Sequence, residues 1–501
     1  MGFIQGNSRS QMTFWSLDDM IGEENMVRII DKFIDVLDLQ EQGFTRTTPA
    51  SDGRPGYSAS MLAKLYLYGY QNRLRSSRRL ERESHRNIEV MWLTESLNPD
   101  HKSISEFRRI NKRPLKKLFR EFVQMCCRWD LVGGDCFARD GSKFQASNNK
   151  KSNFSHTKLD KRLKELDEKI NKYLNEMDEH DRQDFEENNT ASKELIVLVE
   201  RKQTYESYKK QLDKTGETEL STVDPDARLM GNNRGGVDMS YNVQSTVDAK
   251  NNLIVDYNIT TNPSDQGELE VGAKRLIRLG FRKFNFLGDK GYFNGKCLFK
   301  VKRMQINAIV SPQDPSNPKE QPAEFHTDKF IYDEKSDSYT CPAGHVLPVR
   351  SKKHTPRRRY HNKEECKNCP HNEQCVTGNC GFRTISRDKY SKAREQAKEQ
   401  FKENIKLYKQ RQQIVEHPFG TVKRTMDGGY FLLRTRSKVD CEVGLLFLAY
   451  NMKRALNILG FKELMMRLNC LAKNAHKMLF APFRLPHNFL LPFLPGLVWV
   501  S

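Results

Sequence analysis

Apolar positions recur at helical spacing from residue 57 to about 129, where Met61, Leu62, Leu65, Leu67 and Leu80 are mixed with the basic run RLRSSRRLERESHRN. This predicts a compact helical domain over 57–130 with a basic face on which Arg75, Arg78 and Arg79 are candidate phosphate contacts. In NPDHKSISEFRRINKRPLKKLF, Asp100 and Ser103 are N-cap candidates for a helix that carries Arg108, Arg109, Lys112 and Arg113 within two turns, a candidate recognition helix. Residues 131–144 alternate enough for a strand, with Asp140 just before a glycine turn. Leu159, Leu163, Leu166, Ile170, Tyr173 and Met177 are then spaced four, three, four, three, four, the a/d seam of a coiled coil, and ELIVLVERKQTYESYKKQL is its returning arm. A helical hairpin inserted over 157–215 is expected, turning between residues 188 and 192.

Beyond it, MSYNVQSTVDAKNNLIVDYNIT gives two β-rich runs around Ala249 to Asn252, a hairpin signal. DQGELEVGAKRLIRLG reads as a helix closed by Gly280, KFNFLGDKGYF as a strand delivering Asp289 to its C-terminal end, and NAIVSP as another strand. Helical pattern returns over 390–423 and 439–459. Strands first, a hairpin, then strand and helix in alternation predict an α/β core built on one sheet.

The 501 residues suffice for one large domain with insertions or for two or three domains, and 37% hydrophobic residues exclude wholesale disorder. Lys and Arg number 84 against 64 Asp and Glu, a formal charge of +20 that calls for a polyanionic partner, with nucleic acid first. No signal-peptide pattern and no membrane-spanning apolar run is present, so a soluble, cytoplasmic protein is expected; the apolar tail NFLLPFLPGLVWV is short and carries two prolines.

Eleven cysteines, five of them between 341 and 380, suit metal ligation better than a disulfide framework. Cys366 and Cys369 form a CxxC, Cys375 follows six residues later and Cys341 precedes by 25, a spacing that suits a Cys₄ zinc site in an inserted loop over 324–382. His345, His361, His371 and Cys380 are competing ligands, and free reduced thiols are the bland alternative. Cys126, Cys127, Cys136, Cys297, Cys441 and Cys470 read as core residues.

Phosphodiester chemistry needs carboxylates that converge on divalent metal from separate elements. Asp140, Asp289 and Glu416 could do so from one α/β core, with Asp248, Asp256 and Asp226 as competitors. DGSKF at 140–144, GVDMSYNVQSTVD at 236–248, GDKGY at 288–292 and YKQRQQIVEHPFGTVKR at 408–424 resemble the successive motifs of bacterial insertion-sequence transposases of the DDE type. YSASMLAKLYLYGYQNRLRSSRRLERE and NPDHKSISEFRR resemble the helical leader of that group, and the nearest branch is the IS eleven-eighty-two type, a relative of the IS four superfamily.

The resemblance implies an RNase H-like catalytic core over 131–460, preceded by an all-α N-terminal domain and interrupted by the hairpin and the Cys-rich loop, with a leader over 1–56 and a tail over 461–501. It implies Asp140, Asp289 and Glu416 as the catalytic trio holding Mg²⁺ or Mn²⁺: water attacks at a transposon end, and the freed 3′-hydroxyl attacks target DNA. Lys423 lies seven residues after Glu416, on the same face of an α-helix and able to meet a phosphate, with Arg424 beside it. The superfamily places an Arg four residues before the Glu; here Gln412 holds that place, and Arg411 is five before, about 140° round the helix. Pro418 should kink the helix after Glu416. A homodimer acting on double-stranded DNA at the bacterial nucleoid is expected, because two ends must be joined together. A non-catalytic DNA-binding descendant and a metal-dependent nuclease that cleaves without joining are the alternatives.

Overall fold

Polar side chains that accept from the free N–H groups of a first helical turn start the N-terminal helices. In the computed structural model, which describes residues 10, 12, 14–49, 55–180, 188–231, 235–313, 321–351, 355–377 and 380–474, Asn25 opens α1 (Met26–Asp35) and Ser58 opens α2 (Ala59–Gln71). After α3 (Ser77–Ser84), Asn87 caps α4 (Ile88–Leu93), and Asp100 caps α5 (His101–Ile110) by accepting from Lys102 N and Ser103 N, as expected. The basic stretch is not one recognition helix: α5 ends at Asn111 and α6 (Lys112–Arg128) starts afresh. Pro114 has no N–H to donate and costs least in a first turn, so a fresh helix start is favoured there.

The strand β1 (Cys136–Gln145) runs straight through Asp140 and Gly141, so the expected glycine turn is absent. Gly141 serves close packing instead: a Cβ there would lie 2.1 Å from Gln244 Nε2 and 2.5 Å from Asp265 Oδ1. The inserted hairpin stands on a two-stranded base of β2 (Asn153–Ser155) and β3 (Glu219–Ser221), with arms α7 (His156–His180) and α8 (Asn188–Thr215). Leu159 and Leu166 of the seam are buried and Leu163 and Ile170 half-buried; the side chains of Tyr173 and Met177 lie outside the described residues. Residues 188–192, read as the turn, are already helical, since Asn and Thr open helices as readily as they make turns; residues 181–187 lie outside the described residues.

Then come β4 (Arg228–Gly231), β5 (Val237–Asp248) and β6 (Ile254–Thr260), the last two forming the expected hairpin, followed by α9 (Glu268–Arg278), β7 (Asn285–Gly288), α10 (Gly295–Arg303) and β8 (Asn307–Val310). They build one sheet in the order β4-β5-β1-β7-β8, with β6 sharing the edge of β5 that β4 leaves free. β1, β7 and β8 are parallel, and β5 is antiparallel to β1.

The Cys-rich segment holds β9 (Ile331–Asp333), β10 (Ser338–Thr340), β11 (Val346–Pro348), β12 (Arg357–Tyr360), α11 (Lys363–Lys367), α12 (Asn372–Cys375) and β13 (Ile385–Asp388) around its own core of Phe330, Tyr339, Leu347, Tyr360 and Ile385. The chain closes with α13 (Ser391–Glu403), α14 (Ile405–Gly420), a π-helical turn over Thr421–Thr425, α15 (Arg436–Leu459) and α16 (Phe461–Asn474). The π turn follows Pro418 by three residues, the irregularity expected from that proline.

Helices α6, α14 and α15 cover one face of the sheet through ring contacts such as Phe119 on Tyr257 at 5.2 Å and Phe144 on Phe419 at 6.0 Å. On the other face, α9 passes so close to Arg139 that a Cβ at Gly272 would lie 2.7 Å from it. One continuous apolar core joins Ile30, Tyr66, Phe122, Phe137 and Leu446, so the helices over 57–130 are not a detached module, and α1 of the supposed leader belongs with them. Cys126, Cys127, Cys297 and Cys441 are buried and Cys136 partly so, but Cys470 is exposed on α16 and is not a core residue. Residues 475–501, with the apolar tail, lie outside the described residues; no helix among those described is long and apolar enough to cross a membrane.

Candidate active site

The parallel register of β1 on β7 pairs Ala138 with Leu287, so continuing it by two residues sets Asp140 level with Asp289, just past the end of β7. Asp289 opens a short 3₁₀ turn over Lys290–Tyr292, its Oδ1 accepting from Gly291 N at 2.8 Å. A third carboxylate, not expected from the sequence, joins them. Asp265, in the loop between β6 and α9, accepts from Asn242 Nδ2 at 2.8 Å and Gln244 Nε2 at 2.6 Å. Nothing in the local pattern of NPSDQGE marks it, because its partners lie on another strand.

Burial, then the negative charges of Asp289 and Asp265, push the Asp140 carboxyl up to about 7, with Arg411 opposing them. Three cations face this cluster. Arg411 Nη1 stands 3.7 Å from Asp140 Oδ1, so the residue whose spacing departs from the superfamily pattern reaches the site after all. Lys143 Nζ is 3.7 Å from Asp265 Oδ1 and has no hydrogen-bond partner among the described residues. Lys423, in the π turn, donates to Ser142 Oγ at 2.6 Å and to the carbonyl of Lys143 at 2.7 Å, and burial pulls its ammonium down to about 8.

Glu416 does not meet the pair. It is exposed, and Oε1 accepts from Gln412 Nε2 at 2.8 Å. Arg411 faces Asp140, and five residues on along an α-helix is about 140° away, so the glutamate looks outward from α14. The competitors are engaged structurally. Asp248 accepts from Gly133 N and Gly134 N, Asp256 pairs with Arg275, and Asp226 accepts from Arg436 N.

Of the basic residues read as DNA contacts, Arg78, Arg79, Arg109 and Arg424 are exposed, although Arg109 pairs with Glu106 on its own helix. Arg75 is a correction. Arg75 is 2% exposed, donates to the Tyr430 carbonyl and Glu442, and lies 4.6 Å over the Tyr430 ring. Arg108 turns inward over Tyr66, its Nη1 buried. Arg75 cannot reach a phosphate, because its guanidinium is sealed in the interior, whereas Arg108 is half-buried.

Cys341, Cys366, Cys369 and Cys375 line one small cavity of about 30 Å³ with His345 and His371, and His345 N donates to Cys341 Sγ at 3.3 Å. Among the described residues, however, no three His, Cys, Asp or Glu side chains converge closely enough to hold a metal ion, either here or at the aspartates.

Residues 15–109 match the family model described as Transposase domain (DUF772), and residues 340–456 match the one described as Transposase DDE domain. Together they support a DDE transposase, and hence a polynucleotidyl transferase or nuclease activity. The second match spans the Cys cluster, Glu416 and Lys423, whereas Asp140 and Asp289 lie outside both. No curated protein and no solved structure matches the chain.

Proposed function

We propose that the protein is a metal-dependent DNA transposase that cuts the ends of an insertion sequence and joins them to target DNA, with Asp140 and Asp289 as the metal-binding pair and Glu416 completing the trio. The observation that carries this reading is the level placement of two carboxylates across β1 and β7, with Asp140 held at about 7 by burial and like charge. Carboxylate oxygens crowded in this way suit a hard divalent cation such as Mg²⁺ or Mn²⁺, which when bound activates an attacking oxygen and stabilises the leaving one. Asp140 gives up its proton to take part. Arg411 and Lys423 flank it from α14 and the π turn and are placed to hold the scissile phosphate. Glu416 lies on the solvent side of α14 in this conformation, and its place in the trio rests on the family likeness of its motif.

The strand order β6-β5-β1-β7-β8, antiparallel at β5 and parallel thereafter, supports an RNase H-like core, and the segment matches support a DDE transposase; the IS eleven-eighty-two branch rests on the sequence motifs. Exposed Ile196, Val197 and Val199 on α8 give the hairpin an apolar strip for a second protomer. The decisive experiment incubates purified protein and Mg²⁺ with end-bearing and random DNA. Joined strand-transfer products specific to end-bearing DNA support the reading; cleavage without joining returns the nuclease, and binding without cleavage the inactive descendant.

Arg78 and Arg79 remain in the proposed DNA surface without Arg75. The pair replaced by Ala should weaken binding and lower the slope of log affinity against log salt by about 2, because each phosphate left without its cation takes roughly 0.9 from that slope. An unchanged slope would mark these arginines as merely solvated.

The thiol chemistry of the Cys cluster fits a structural zinc, and its spacing in this conformation requires the four sulfurs to draw in on the ion. Elemental analysis of protein prepared without chelators should find about one zinc per chain. Cys366→Ser should lose it and become protease-sensitive between 341 and 380, whereas zinc-free parent protein would remove the site.

A further inference from the structure

A groove of about 620 Å³ runs along the outer edge of β6, between α6, α9 and the start of α15. Seven Lys and Arg line it against three Asp, and all three carboxylates are already engaged. Asp256 pairs with Arg275, Asp440 with Lys116, and Asp226 accepts from the backbone of Arg436. The side chains of Lys112, Arg113, Arg120 and Arg436 make no ion pair or hydrogen bond among the described residues, and the last three are exposed. Residues 112, 113, 116, 117 and 120 fall on one stripe of α6, while Phe119 and Tyr257 pack together beneath them at 5.2 Å. That buried floor anchors the helix, so the stripe is presented on a rigid support.

We infer that this groove is a second DNA-binding surface that takes the phosphate backbone of double-stranded DNA irrespective of sequence. The inference rests on the transposase reading, and it assigns to DNA a face separate from the aspartate pair. β5 lies between the groove strand β6 and the catalytic strand β1, so two strand spacings of about 4.8 Å separate them across the sheet. From 112 to 120 the stripe extends about 12 Å along the helix, enough to follow several phosphates of a duplex that carries one charge per about 1.7 Å. Unpaired cations over a polyanion release counterions on binding; an acidic protein face would offer no comparable linear charge density.

The test is the full-length triple variant Arg113→Ala, Arg120→Ala, Arg436→Ala, titrated with a random-sequence duplex at several salt concentrations. The control removes three equally exposed charges from the hairpin: Lys164→Ala, Lys169→Ala, Lys214→Ala. We expect the groove variant to melt like the parent and its salt slope to fall by about 2.7, with affinity near 0.1 M salt lower by on the order of a hundredfold. A slope equal to that of the parent, or a loss no larger than that of the control, overturns the groove while leaving the transposase reading intact. Parent protein that binds no duplex overturns both.

Discussion

Asp289→Asn is expected to abolish metal-dependent strand cleavage while leaving DNA binding close to that of the parent. Metal ligation needs the carboxylate charge, whereas duplex affinity comes from Lys and Arg. The same loss is expected for Asp140→Asn, with a second effect that a peripheral carboxylate would not show. Because the folded Asp140 titrates near 7 and the unfolded one near 3.8, the native state binds the extra proton between those values, and stability falls as pH rises through that window. The amide carries no such penalty. Metal-free Asp140→Asn should therefore gain stability over the parent from pH 4 to pH 7, by at most about 4 kcal/mol, since a tenfold change in proton affinity is worth about 1.4 kcal/mol. Thermal melts with chelator across that range, alongside cleavage assays, read both effects. Near-parental cleavage by either variant removes that residue from the site, and a stability difference that does not change with pH contradicts the crowded carboxylates.

The second large effect is on folding. Arg75→Ala should destabilise the protein by about 3–5 kcal/mol, the range for removing one partner of a buried ion pair. Its Nη1 donates to the Tyr430 carbonyl at 2.8 Å and to Glu442 Oε1 at 3.2 Å. Glu442 is fully buried, and its other partners are the backbone N–H groups of Leu432 and Leu433. Burial already raises this carboxyl and Arg75 holds it down, so without the arginine Glu442 must either take up a proton or remain charged in the interior. Arg75→Lys keeps the charge but loses the planar guanidinium that stacks 4.6 Å over the Tyr430 ring and turns its second nitrogen toward Asp427 at 3.7 Å, and should lie between. At temperatures where Arg75→Ala is folded, the salt slope of DNA binding should match the parent. A variant that melts like the parent and binds DNA with a shallower slope would return Arg75 to the DNA surface.

The local grammar of this chain was legible in its sequence. The cap at Asp100, the β5–β6 hairpin about 249–252, the helix closed by Gly280 and the strand that ends just before Asp289 all depend on neighbours within a few residues, where periodicity and capping act. The break before α6 was missed, although Pro114 three residues past Asn111 favours a fresh first turn over a continued helix. What only the tertiary structure decided is which of several identical residues face inward. Arg75, Arg78 and Arg79 lie within five positions of one another, yet the first is sealed in the core by Glu442, 367 residues further along, while the others face water. Asp265 reaches the aspartates because Asn242 and Gln244 on β5 draw its carboxylate over Gly141. Arg411, out of place by its spacing, meets Asp140 because α14 packs across β1, and the same packing turns Glu416 to solvent. Desolvation and charge pairing act through space. Sequence order supplied the residues and their local elements, and burial against distant partners selected which of them became structure and which remained available for chemistry.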